Sequence, residues 1–104
     1  MSRVLFSIKY DIIPEKRNEY LGIVKELKNV VKGEGLEDYS IFEQKGKENS
    51  FEEIYTYKSK DAWEEADEIE NERVDILMSK LSDLIQDKTT HYSTLFEVES
   101  TVII

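Results

Sequence analysis

Residues 51–67 read FEEIYTYKSKDAWEEAD, and the change of rhythm inside this stretch decides the fold. Phe51, Glu53, Tyr55 and Tyr57 alternate with Glu52, Ile54 and Thr56. A period of two among aromatic and β-branched residues is the mark of a half-buried strand. After Lys58-Ser59-Lys60 the period lengthens: Trp63, Ala66 and Ile69 recur at helical spacing. Ser59 can accept a hydrogen bond from the first free N–H groups of that helix, and Asp61 and Glu64 suit its positive end.

Working outward toward the N-terminus, Gly46-Lys47-Glu48-Asn49-Ser50 has the polar composition of a hairpin connection. It is preceded by a second strand over Leu36 to Lys45, with Tyr39 and Ile41 on one face and Ser40 and Phe42 on the other. Gly33 and Gly35 end a helix whose stripe is Tyr20, Ile23, Val24, Leu27, Val30 and Val31, and Pro14 fits its first turn. Val4, Phe6, Ile8 and Tyr10 form the apolar face of the opening strand.

Toward the C-terminus the helical stripe continues through Val74, Leu77, Met78, Leu81, Leu84 and Ile85. One long helix or two fit it, and the acidic density around Glu70-Asn71-Glu72 favours a break. Asp87 to Thr90 is a turn, and His91 to Glu99 is a fourth strand with Tyr92, Thr94, Phe96 and Val98 on its more apolar face. Ser100 to Ile104 ends in aliphatic residues.

The order β-α-β-β-α-β is the ferredoxin-like arrangement, an α+β fold with one antiparallel sheet and its helices on one face. The opposite face then carries Leu5, Tyr39 or Phe42, Ile54 and Leu95, an apolar surface of the kind that marks an interface. A homodimer packed through that sheet face would bury it.

At 104 residues the chain is expected to form a single domain, 1–104. It has no cysteine, so disulfides and thiolate metal sites are excluded. Lys and Arg number 14 against 23 Asp and Glu, a net charge of -9. That field repels phosphate backbones and argues against nucleic-acid binding. No apolar run approaches the roughly 20 residues that span a bilayer. The first ten residues are too short and too polar for a signal peptide, so the expected location is cytoplasmic.

The segments IKYDIIPEKRNEYLGIV and YTYKSKDAWEEA resemble the strand-proline-helix opening and the strand-to-helix junction of the dimeric α/β-barrel superfamily, in its antibiotic-biosynthesis-monooxygenase-like group. The similarity of element order and spacing runs over about the whole chain. It implies two sheets facing each other across a dimer axis, and ligands held between helices and sheet within a subunit. Members of the superfamily include cofactor-independent oxygenases of polyketide-like aromatics, heme-degrading enzymes, isomerases and proteins with no assigned activity. The heme-degrading branch relies on an Asn, a Trp and a His whose places fall near Ile8, Ala66 and Ile76. None of the three is the required residue, which disfavours that chemistry.

Candidate site residues follow from the aromatic content, six tyrosines and four phenylalanines. Tyr10, Tyr39, Tyr55, Tyr57, Trp63 and Tyr92 could wall a pocket for a flat ligand, with Ile8 and Ala66 beside them by resemblance. Ordinary core packing is the simpler reading of the same rings. His91, the sole histidine, is a candidate base or single metal ligand, read first as a solvated side chain beside a turn. Glu53 lies on an aromatic strand face, where desolvation would raise its pKa and suit it to acid-base work. The preferred reading leaves it hydrated, or paired with Lys9 or Lys45. Arg73 could bind a ligand carboxylate, but pairing with Glu70 on its own helix, for about 0.3–0.5 kcal/mol, is the simpler account.

The chain has no glycine-rich phosphate loop, HExxH, CxxC or nucleophile elbow. Nucleotide-dependent and zinc-dependent chemistry are unsupported, and no cofactor or metal is expected. Two functional classes remain foremost. One is a small-molecule-binding domain acting as a cofactor-independent monooxygenase or isomerase on an aromatic or polyketide-like substrate, with Tyr57, Trp63, His91 and Glu53 as the catalytic candidates. The other is a non-catalytic ligand-binding or protein-interaction module, the latter through acidic residues such as Glu64, Glu65 and Glu68.

Overall fold

A computed structural model of the chain describes residues 2–66 and 71–98. Four strands, β1 (Val4–Asp11), β2 (Leu36–Glu43), β3 (Ser50–Tyr57) and β4 (His91–Phe96), form one antiparallel sheet in the order β2-β3-β1-β4. Helices α1 (Arg17–Val30), α2 (Lys60–Glu65) and α3 (Glu72–Ser82) complete the ferredoxin-like α+β fold. Each strand is placed by its alternation. Registers Ile8↔Glu53, Tyr10↔Phe51 and Tyr39↔Tyr55 put those residues on the face that meets the helices. Lys9↔Glu52, Ser7↔Ile54 and Leu5↔Leu95 put the others on the outer face.

Local chemistry sets the helix ends. Pro14 opens a single 3-10 turn, Pro14–Lys16, and α1 follows directly. The Ser59 hydroxyl accepts from the Ala62 N–H at 3.1 Å and starts α2. The second helical stretch is divided: Asn71 takes an extended conformation, accepts from the Val74 N–H at 3.1 Å and starts α3 afresh. Ile69 and Glu70, assigned from the sequence to this stretch, lie outside the described residues, as do Glu99 and Ser100 to Ile104.

The core lies between sheet and helices. Tyr10, Ile12 and Phe51 meet Tyr20, Ile23 and Leu27 of α1, Leu77 and Leu81 of α3, and Leu84 beyond it. Removing such surface from water is worth roughly 25 cal/mol per Å² and is the main force holding helices to sheet. On the outer face Leu5, Phe42 and Leu95 remain 37%, 56% and 57% exposed. Of the two candidates for that face on β2, Tyr39 is buried under the helices and Phe42 is the outward one. β2 also stops at Glu43, two residues earlier than its composition suggested, because Gln44 closes the hairpin through its N–H to the Ser50 carbonyl at 2.8 Å. Among the described residues no helix is long and apolar enough to cross a membrane.

Candidate functional site

The alternation of β3 delivers Glu53 to the interior, and this corrects the hydrated reading: the residue is 1% exposed. Lys9 and Lys45 are not its partners. Tyr10 donates to Oε2 and Tyr39 to Oε1, each at 2.6 Å, while the Tyr20 hydroxyl stands 2.8 Å from that of Tyr10. Because Tyr10 gives its proton to Glu53, Tyr20 donates to Tyr10, and the chain of hydroxyls points at the carboxylate. The cross-strand neighbours supply the geometry, Tyr10 from β1 and Tyr39 from β2 flanking β3 on both sides.

Burial is the largest influence on Glu53 and raises its pKa; hydrogen bonds from Tyr10, Tyr39 and Tyr55 act against it. The same burial, with the negative carboxylate nearby, pushes Tyr10, Tyr39 and Tyr55 far above the ordinary phenol range. These phenols therefore stay protonated and serve as donors.

Tyr55 joins this network to open space. Its ring lies 4.7 Å from that of Tyr39, and it also walls a cavity of about 670 Å³. The sheet side of the cavity is Phe6, Tyr55 and Tyr57; the helix side is Trp63, Glu64 and Ala66 from α2 and its end, with Val74 and Met78 from α3. The three sheet rings form a continuous wall, with centroids 5.9 Å apart for Phe6 and Tyr55 and 6.3 Å for Tyr55 and Tyr57. An adjoining recess of about 140 Å³ shares Tyr55, Tyr57, Ala66 and Val74 and extends to Val31, Lys32, Gly33, Glu34 and Leu36.

The structure thus gathers Tyr55, Tyr57, Trp63 and Ala66 around one cavity. Ile8 and Tyr10 belong instead to the packed interior. Tyr92 is 69% exposed and stacks on Phe6 at 6.2 Å, on the same face of the sheet but outside the cavity lining. His91 is exposed on β4, opposite Lys9 on the outer face, away from the cavity. Ile76 is exposed on α3. Arg73 pairs across to Glu26 of α1, so it joins two helices where pairing along one was expected. Among the described residues no group of three or more His, Cys, Asp or Glu could hold a metal ion.

Phe6, Glu64, Val74 and Met78 were not singled out as lining residues from the sequence, and neither was the Tyr20 hydroxyl. Tyr20 carried a usable signal. A phenol inside an otherwise aliphatic helical stripe needs a partner when buried.

No family model matches the chain, and no curated protein does. Solved structures match over nearly all of it. A conserved protein from Methanosarcina mazei Go1 superposes with a TM-score of 0.76 at 20% identity, covering 91% of this chain and 92% of its own. SnoaB, a cofactor-independent oxygenase from Streptomyces nogalater, gives 0.71 at 15% identity over 95% and 96%. An antibiotic biosynthesis monooxygenase gives 0.68 at 16% identity over 95% and 98%. This chain shares its fold with these proteins. The fold accounts for the strand order, the helix layer on one face and the place of the cavity between them; at these identities the residues that fill the cavity are this chain's own.

Proposed function

We propose that the protein binds a small, largely apolar or aromatic molecule in the cavity between α2, α3 and the sheet, as a homodimer packed through the outer sheet face. The observation that carries the reading is the aromatic lining of a space of about 670 Å³ by Phe6, Tyr55, Tyr57 and Trp63. Such a volume matches those that hold small organic ligands. Flat rings offer large contact area at little cost in side-chain freedom. Trp63 is the chain's single tryptophan, so tryptophan fluorescence reads a ring in this cavity's wall. Titration with a neutral aromatic such as 1-naphthol is expected to quench it saturably, and Ala66→Phe, which fills the space, is expected to abolish the quenching. A strictly linear response in both proteins contradicts the reading.

A catalytic version has one observation in its favour. Tyr55 at the cavity wall has its ring 4.7 Å from that of Tyr39, and Tyr39 donates to the buried Glu53 carboxylate. A phenolic substrate could pass its proton through Tyr55 to Glu53, leaving an anion that reacts with oxygen without a cofactor. Oxygen uptake with a phenolic substrate, lost in Tyr55→Phe and in Glu53→Gln, supports turnover. Saturable binding with no uptake assigns the protein to the non-catalytic class.

A further inference from the structure

We infer that the cavity ligand is an organic cation, an ammonium group carrying apolar substituents. The inference rests on the cavity being a ligand site, and it adds the sign of the ligand's charge. Four aromatic residues, Phe6, Tyr55, Tyr57 and Trp63, line the space together with Met78. Aromatic faces are negative, and rings arranged around a void are the usual receptor for alkylated ammonium groups.

Charge at the site agrees with the rings. Among the described residues that wall the cavity, Glu64 is the one that is charged, and none is Lys, Arg or His. Beyond Tyr55 and Tyr39 lies the Glu53 carboxyl, whose hydrogen-bond donors among the described residues are phenols. An anionic ligand would meet no opposite charge among the described lining residues, in a protein of net charge -9. The described lining of the adjoining recess carries one charge of each sign, Lys32 and Glu34. The fold already holds one ammonium over a ring outside the lining, Lys60 Nζ at 5.5 Å from the Phe96 centroid, and Phe96 in turn meets Trp63 edge to face at 5.6 Å.

Three probes of nearly one shape separate charge from shape: phenyltrimethylammonium, its neutral carbon isostere tert-butylbenzene, and benzenesulfonate. Binding is read from Trp63 fluorescence, with stoichiometry from native mass spectrometry. The expected order is cation, then neutral, then anion, with the cation at least tenfold tighter than the neutral isostere at low salt. Glu64→Gln is expected to weaken the cation about threefold and leave the neutral probe unchanged. Tyr57→Leu, which keeps an apolar wall, is expected to weaken the cation more than the neutral probe. Equal or tighter binding of tert-butylbenzene overturns the inference and leaves the cavity as a neutral apolar site. Absence of binding by all three overturns both the inference and the site on which it rests.

Discussion

At the scale of single residues, Glu53 governs the behaviour of the interior. Its folded pKa lies above the ordinary 4.5, so over some range of pH the native protein keeps a proton that the unfolded chain has lost. The stabilising contribution is complete below about pH 4.5 and disappears as pH rises through the folded value. Glu53→Gln keeps an acceptor for one of Tyr10 and Tyr39, turns an NH2 donor toward the other hydroxyl, and has no charge to bury. Its urea-unfolding free energy is expected to decline less with rising pH than that of the parent; parallel profiles for the two proteins contradict this. Glu43 has the opposite sign. Arg17, bonded at 2.6 Å, and the Asn49 N–H hold its pKa down to about 2. Its contribution is present above about pH 4.5 and is lost as pH falls toward that lowered value. Tyr10→Phe removes the hydroxyl linking Tyr20 to Glu53, and a cost of about 1–3 kcal/mol is expected in the same measurement. The place of Glu53 on an aromatic strand face was legible from its alternation with Phe51 and Tyr55. Its burial was not, because the partners that make burial tolerable come from strands 43 and 14 residues distant, and no local pattern encodes that pairing.

At the scale of elements, caps and close approaches divide the chain into its parts. Asn71→Ala deletes the bond that starts α3, and a loss of about 0.5–2 kcal/mol is expected from chemical denaturation. Gly35 has φ +88°, and a Cβ there would meet the Ala62 Cβ at 2.6 Å. The turn before β2 therefore touches α2 directly. Gly35→Ala is expected to destabilise by more than about 1 kcal/mol, since it combines left-handed strain with a contact that must move α2. An unchanged unfolding midpoint for either variant contradicts the corresponding role. The elements themselves were legible: Pro14, the Ser59 cap and the switch of period after Tyr57 need only local chemistry. Asn71 was legible as a break in a charged stretch, and its side-chain cap gives that break a physical cause. The cavity was partly legible. Tyr55, Tyr57 and Trp63 are neighbours of one strand-helix junction, whereas Phe6, Val74 and Met78 arrive from elements whose packing a single sequence does not display.

At the scale of the whole molecule, the two faces of the sheet have different occupants. The helices cover one, and Leu5, Phe42 and Leu95 leave the other apolar and open. On the proposed dimer, Leu95→Glu combined with Phe42→Glu is expected to convert a dimer in analytical ultracentrifugation to a monomer with an unchanged circular dichroism spectrum. A parent protein that sediments as a monomer at tens of micromolar contradicts that arrangement. The covered face holds the central claim, that the aromatic cavity is built to take a small molecule. Native mass spectrometry of the intact protein beside its Ala66→Phe variant, each with phenyltrimethylammonium and with tert-butylbenzene, tests it most directly. The account predicts one small molecule per protomer on the parent and none on the filled variant, with the cation retained more strongly. Bare protomers with both probes, or equal adducts on the two proteins, would contradict it.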